Sequence, residues 1–422
     1  MGNRRPRATV GVAAALAALA LVAACSSGPV RPTSSSSSAP DVAVSRTAHP
    51  TTTTTTAVEP TTATTTATTT PPPAPTCVER LAAGLSPQQK AGQLIMVGAQ
   101  AANPASALDG VISDQHVGGV ALLGTWNGAA GVSAAVQRWQ AGARDADAGI
   151  GALVAADQEG GQVQHLKGAG FTSTPSALVQ GRSPAGVART SAAVGAQLHT
   201  VGVTVALAPV ADTVGATFAP RNAPIGALDR EYGHDPDTVA AAVQAAVGGL
   251  QGAGVSATLK HFPGLGRVTG NTDLTASGTT DATMTDDDAY LQPFRAGIRA
   301  GADLVLVSSA LYPRIDPDHR AVFSRAVVTG VLRERLGFSG VVVTDDVGAA
   351  KAVADVPVGD RATQFVAAGG DIVLTGLPST VPAMADALVG RAGADPAFAA
   401  QVDAAAKRVL ALKVRRGVAG CG

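Results

Sequence analysis

The sequence predicts an α/β protein built as a single (β/α)8 TIM-type barrel, preceded by a signal peptide and a disordered linker. Three observations lead there. From Cys77 onward the composition is globular and rich in Ala, Gly and Val. Within that block, short apolar runs alternate with longer amphipathic, Ala-rich stretches. Polar residues then fall at the C-terminal ends of the apolar runs, the rim on which barrel enzymes build their sites.

The apolar runs are 94–97, 119–123, 153–156, 203–208, 257–261, 304–307, 341–344 and 372–374. They are short and mainly apolar, as parallel strands covered on both faces are, with the run at 257–261 ending in Lys260-His261. Helical stretches between them include 184–199, 236–253, 286–300, 324–335 and 361–368. Pro236 stands where a first-turn proline is tolerated, and Gly301 and Gly337 where C-terminal caps belong. Eight such units favour a barrel over a doubly wound open sheet, which would gather polar residues at one switch point rather than around a ring.

Ahead of the barrel, Arg4, Arg5 and Arg7 precede an apolar stretch over 10–24 that ends in Val22-Ala23-Ala24-Cys25. Residues 1–24 read as a lipoprotein signal peptide, with Cys25 the lipidated first residue of an extracytoplasmic, membrane-anchored chain. An ordinary signal peptide or a short anchor is the alternative, although the run falls short of the roughly 20 residues a spanning helix needs. Residues 25–76 are almost wholly Ser, Thr, Pro and Ala and read as a disordered tether, since they cannot bury enough apolar surface to offset their ordering entropy. Residues 77–422 form the barrel domain. The formal net charge of zero argues against a nucleic-acid partner. Cys77 and Cys421 stand at the two edges of the block, where export permits a disulfide; two free buried thiols are the alternative.

Three constellations carry chemistry. In the first, residues 341–346, a buried strand delivers Asp345 and Asp346. Successive strand side chains face opposite ways, so one carboxylate can face the barrel mouth while the other makes structural hydrogen bonds. Two solvated loop aspartates or a metal site are the alternatives. In the second, Asp157 is followed by Glu159-Gly160-Gly161. A strand-end carboxylate beside glycines can grip adjacent sugar hydroxyls, while Glu159 is expected to brace the glycine turn. The third is Lys260-His261-Phe262-Pro263-Gly264, whose two basic groups are costly to bury without anionic or hydroxyl partners. From bare spacing, Lys260 could also serve an aldolase-like Schiff base, a reading that leaves Asp345 without a role.

These segments resemble glycoside hydrolase family 3, specifically its single-domain bacterial β-N-acetylglucosaminidases, over residues 80–415. The resemblance extends to Lys90-Ala91-Gly92-Gln93-Leu94, Ala208-Pro209-Val210-Ala211-Asp212 and Arg230-Glu231-Tyr232-Gly233. It implies that Asp345 is the nucleophile of a retaining mechanism and that Asp157, Arg230, Lys260 and His261 hold the sugar. It also implies a β-linked N-acetylglucosamine substrate such as a muropeptide, no metal or organic cofactor, and a monomer.

The chain departs from that pattern in three places. Leu265 replaces a His after Phe-Pro-Gly. Asn271-Thr272-Asp273 stands where relatives carry Asp-Ser-His, whose His is the acid/base; Asp273 is the candidate replacement, with a plain loop residue as the alternative. Gln162 and His165 replace arginines, which leaves His165 as the candidate sugar contact. The rival readings are a β-glucosidase or β-xylosidase of the same family, and a glycan-binding lipoprotein that barely cuts.

Overall fold

A computed structural model describes residues 75–421. The expected signal peptide, Cys25 and the tether lie outside the described residues.

Eight parallel strands line the core in chain order: β1 (Ile95–Gln100), β2 (Gly119–Leu123), β3 (Leu153–Ala156), β4 (Val205–Ala206), β5 (Ser256–Phe262), β6 (Leu304–Val307), β7 (Val341–Thr344) and β8 (Val373–Thr375). Each strand pairs with the next up to β7, and β8 returns to β1 through Ile95 opposite Val373. The ring closes between β7 and β8 at the bridge of Val343 with Ile372 and the bond from Thr344 N–H to Ile372 C=O, 2.9 Å. An open doubly wound sheet is thereby excluded. The strand side chains are almost all buried Val, Leu and Ala, small and branched enough to fill a narrow barrel interior.

Helices form where the punctuation predicts them. Helix Pro236–Gly252 starts at Pro236, capped by Asp235 Oδ1 accepting from Thr238 N–H at 2.9 Å. Gly301 and Gly337 follow their helices with φ of +83° and +71°, the left-handed geometry a C-terminal cap uses. Two expectations shift. The strand expected over 203–208 is regular only over Val205–Ala206, although Leu207 N–H still donates to Ala156 C=O at 2.9 Å and Ala208 C=O accepts from Thr258 N–H at 2.8 Å. The helix expected from 286 begins as a 3-10 turn at Ala289–Leu291, because Asp288 caps it by accepting from Tyr290 N–H at 2.9 Å.

Cys77 and Cys421 are joined in a disulfide, with Cα atoms 5.4 Å apart. It fastens helix Cys77–Ala83 to the chain end beyond helix Pro396–Arg415, beside a small apolar cluster of Ala82, Leu85, Ile150, Leu410 and Ala419. A link closing so long a loop restricts the unfolded ensemble strongly. Replacing both cysteines by Ser is expected to lower unfolding stability by roughly 2–4 kcal/mol, read as a lower urea midpoint with unchanged activity at 25 °C.

Beneath the barrel, Lys413 is fully buried, with its ammonium on Gln93 Oε1. Burial pulls its pKa down to about 7, with only partial compensation from Asp147. The free-chain value is about 10.4, so the unfolded state binds more protons between pH 7 and 10 and stability should rise with pH across that window. Lys413→Met is expected to flatten that rise, measured by chemical denaturation at pH 7 and at pH 10.

Candidate active site

The C-terminal ends of the strands surround a pocket of about 330 Å³. That is the lower end of the range for small-ligand sites. Asp157, His165, Arg230, Lys260, His261, Asp273 and Asp345 all line it, so the structure gathers every residue singled out from the sequence for catalysis or sugar contact. Leu123, Leu207, Leu306 and Leu374, at or near the ends of four strands, supply apolar lining between them.

Asp157 sits one residue past β3. The hairpin that follows turns at Gly160 and Gly161, with φ of +102° and +56°. A Cβ on Gly160 would lie 2.2 Å from Pro175 O, so the turn requires glycine. Glu159 departs from expectation: it does not brace this turn through its side chain. Its carboxylate is buried among the cations, accepting from Arg230 Nε at 2.9 Å and Nη2 at 2.7 Å, with Lys260 Nζ 2.6 Å away. This bidentate pairing orients the guanidinium, and Arg230 Nη1 also donates to Pro224 O at 2.7 Å. The signal was present, since Arg230 and Lys260 require buried anions and Asp157 alone could not satisfy both.

Lys260, at the end of β5, bridges Asp157 and Glu159. Burial alone would push Asp157 upward, but Lys260 and then His165 overcome it and hold the carboxyl below its ordinary range. The reciprocal attraction of Asp157 and Glu159 outweighs burial and keeps Lys260 above its usual value. Both groups stay charged at neutral pH. His165 places Nδ1 3.1 Å from Leu122 O and 3.9 Å from Asp157, so the ring is held at the pocket wall.

The two aspartates after β7 both line the pocket but differ in their hydrogen bonding. Asp346 Oδ1 accepts from Gly348 N–H at 2.8 Å, Ala349 N–H at 3.1 Å and Gly376 N–H at 2.9 Å, tying the β7 loop to the β8 loop. Asp345 spends one oxygen on Asp346 N–H, 3.1 Å, and keeps the other for the pocket. Burial raises its pKa, while His261, the Asp346 N–H and Lys260 oppose that rise.

Asp273 approaches from the loop after β5. Asn271 Oδ1 accepts its N–H at 2.9 Å. The loop is strapped to the nucleophile segment, Lys351 N–H donating to Asp273 C=O at 3.2 Å and Ala352 N–H to Thr272 C=O at 3.0 Å. Asp273 keeps an open face at the pocket mouth, yet the protein around it displaces enough water to dominate its titration. Burial first, then Asp345 and Asp346, push its carboxyl up to about 7, with Arg230 opposing. The two carboxyls titrate as a pair. Asp345 faces the Lys260 ammonium and a backbone N–H, whereas Asp273 faces mainly other carboxylates, so the shared proton is favoured on Asp273. Among the described residues no cluster of three or more His, Cys, Asp or Glu is placed to hold a metal ion.

Two carboxyls sharing a cation-lined barrel mouth, one opposed in its rise by Lys260 and the other raised to about 7, are the pair that a barrel glycosidase uses. The chain belongs to glycosyl hydrolase family 3: residues 87–412 match the family's N-terminal domain model. It is 35% identical over 255 residues to a beta-hexosaminidase of Xanthomonas campestris pv. campestris, covering 57% of this chain and 72% of that protein. The β-N-acetylhexosaminidase structure from Beutenbergia cavernae superposes with a TM-score of 0.75 at 47% identity, covering 78% of this chain and 99% of that one. LpqI of M. tuberculosis superposes with a TM-score of 0.66 at 30% identity, covering 78% and 94%.

Proposed function

We propose that this chain is a retaining β-N-acetylglucosaminidase that releases N-acetylglucosamine from peptidoglycan fragments. The observation that carries the reading is the pairing of Asp345 with Asp273 in one pocket: burial raises both carboxyls, Lys260 and a backbone N–H oppose the rise at Asp345, and neighbouring carboxylates add to it at Asp273, which reaches about 7. Asp345 attacks the anomeric carbon as Asp273 protonates the departing oxygen. Asp273, now ionised, then takes a proton from the water that displaces Asp345. Asp157, Arg230, Lys260, His261 and His165 hold the sugar hydroxyls, and Glu159 keeps the two cations in place.

The preference for an N-acetylated sugar is supported by the hexosaminidase names of the relatives. A location outside the cytoplasmic membrane, with lipid attachment at Cys25, is supported by the apolar stretch ending in Val22-Ala23-Ala24-Cys25 and by a disulfide of the kind that oxidising compartments maintain. The test is turnover of an aryl β-N-acetylglucosaminide beside the matching β-glucoside and β-xyloside. Release confined to the acetamido substrate is the expected result. Binding of N-acetylglucosamine without turnover of any substrate would reduce the protein to a glycan-binding barrel.

A further inference from the structure

His261 and the loop bearing Asp273 leave the same strand end, and one carboxylate holds both. Asp212 is fully buried beyond β4. Its Oδ2 accepts from His261 Nδ1 at 2.7 Å and from His261 N–H at 3.2 Å, and its Oδ1 accepts from Leu265 N–H at 2.7 Å. A carboxylate that already receives two backbone N–H groups takes the imidazole nitrogen only as a donor. Nδ1 therefore carries the ring proton and Nε2 keeps its lone pair. Nε2 lies 3.5 Å from Arg230 Nη2, and His261 lines the pocket. In this tautomer the ring presents an acceptor where Arg230 presents donors.

Leu265 begins the excursion that reaches Asp273. Its carbonyl and that of Val268 each accept from Asn222 Nδ2 at 2.7 Å, and Asn222 Oδ1 accepts from Ile225 N–H at 3.1 Å and Gly226 N–H at 2.8 Å. The loop root thus has a second fixing, which leads into the turn carrying Arg230. Tyr312 adds a third by donating to Gly264 O at 2.9 Å. Asp212 is the member of this bracing that also reaches a sugar-facing ring.

We propose that Asp212 is a positioning residue for the glycosidase reaction. It locks His261 in the Nδ1–H tautomer, so that Nε2 accepts from a sugar hydroxyl, and with its other oxygen it pins the root of the acid-bearing loop. The proposal rests on the glycosidase reading above. A histidine in the opposite tautomer would meet both Arg230 and a hydroxyl proton with a third donor, and the hydroxyl would have to turn away.

Asp212→Asn tests this with an isostere. The amide oxygen retains the bond to Leu265 N–H, while the amide nitrogen takes the place of Oδ2, so that His261 Nδ1 is asked to accept and the weaker 3.2 Å bond from His261 N–H is given up. Imidazole ¹⁵N spectra of the full chain, with His261 assigned by comparison with His261→Gln, report the tautomer directly. The wild type should read Nδ1–H and Asp212→Asn should read Nε2–H. The variant's kcat/KM on an aryl β-N-acetylglucosaminide should fall on the order of 100-fold or more, with a thermal midpoint near that of wild type. Structural damage alone would lower the midpoint without exchanging the tautomer.

An Nε2–H signal in the wild type overturns the proposal even if the variant fails to fold. So does a variant with exchanged tautomer and undiminished kcat/KM. If the wild type binds the sugar but turns nothing over, the glycosidase reading falls, and the tautomer lock is judged on the spectra and on the variant's loss of sugar affinity.

Discussion

Asp345→Ala is expected to lower turnover of an aryl β-N-acetylglucosaminide by on the order of 10⁴-fold or more, with sugar binding retained. The geometry behind this is specific to Asp345. Its neighbour Asp346 has one oxygen committed to three backbone N–H groups that hold the β7 and β8 loops together. Asp346 cannot turn to the anomeric carbon without releasing them, so it does not substitute for the missing nucleophile. A small anion offered to the shortened site should attack from the vacated face. Asp345→Gly with azide is therefore expected to regain turnover and to yield the α-glycosyl azide, identified by NMR. A product of β configuration, or an Asp345→Ala enzyme within tenfold of wild type, would show that the covalent step does not run through this residue.

Much of this molecule was legible from the chain, and the exceptions have physical causes. Parallel barrel strands are buried on both faces, so they read as unbroken apolar runs, and the residue where each run turns polar is the rim. That is why Asp157, Lys260, His261 and Asp345 could be named before the fold was seen. Strand β4 is shorter than its apolar run because that run continues through Leu207 and Ala208, which keep single backbone bonds to the neighbouring strands beyond the regular ladder. Glu159 and Asp212 are different cases. Their positions were visible, but their partners lie 71 and 49 residues away, at Arg230 and His261. Local pattern carries no information on which buried cation a buried anion meets. The disulfide was readable as a possibility from the two edge cysteines, and only the folded barrel brings their Cα atoms to 5.4 Å. The buried Lys413 gave no signal at all, because a lysine near the end of an amphipathic helix is ordinarily solvated.

Asp273→Ala is expected to divide substrates by their leaving groups. Expulsion of a sugar alkoxide needs a proton, so hydrolysis of a disaccharide should fall by roughly 10²–10⁴-fold. A nitrophenolate leaves unaided, so the first step on a nitrophenyl substrate should change by less than about tenfold. The second step still lacks its base, so the glycosyl-enzyme should accumulate and appear as a burst of nitrophenol. Azide needs no base and should relieve that block, giving the β-glycosyl azide, the opposite anomer from the Asp345→Gly reaction.

The pH profile follows from the same carboxyl. Asp273 must be protonated for the first step, and burial together with Asp345 and Asp346 raises it to about 7. For a disaccharide, kcat/KM of the wild type should therefore hold below pH 7 and decline as pH rises through it. The acidic limb belongs to protonation of the pair's other carboxyl, Asp345. In Asp273→Ala the decline above pH 7 should vanish while the acidic limb remains. Were the decline to persist unchanged in the variant, the proton donor would be another group. A second consequence separates burial from charge as the origin of the raised value. Asp345→Asn removes the nearest negative charge but leaves the pocket closed, so Asp273 should titrate lower in that variant, though still above the roughly 3.9 of a free aspartate. A ¹³C titration of the carboxyl would read both shifts. An unshifted Asp273 in Asp345→Asn would mean that the two carboxyls do not communicate and that burial and the remaining carboxylates tune the acid.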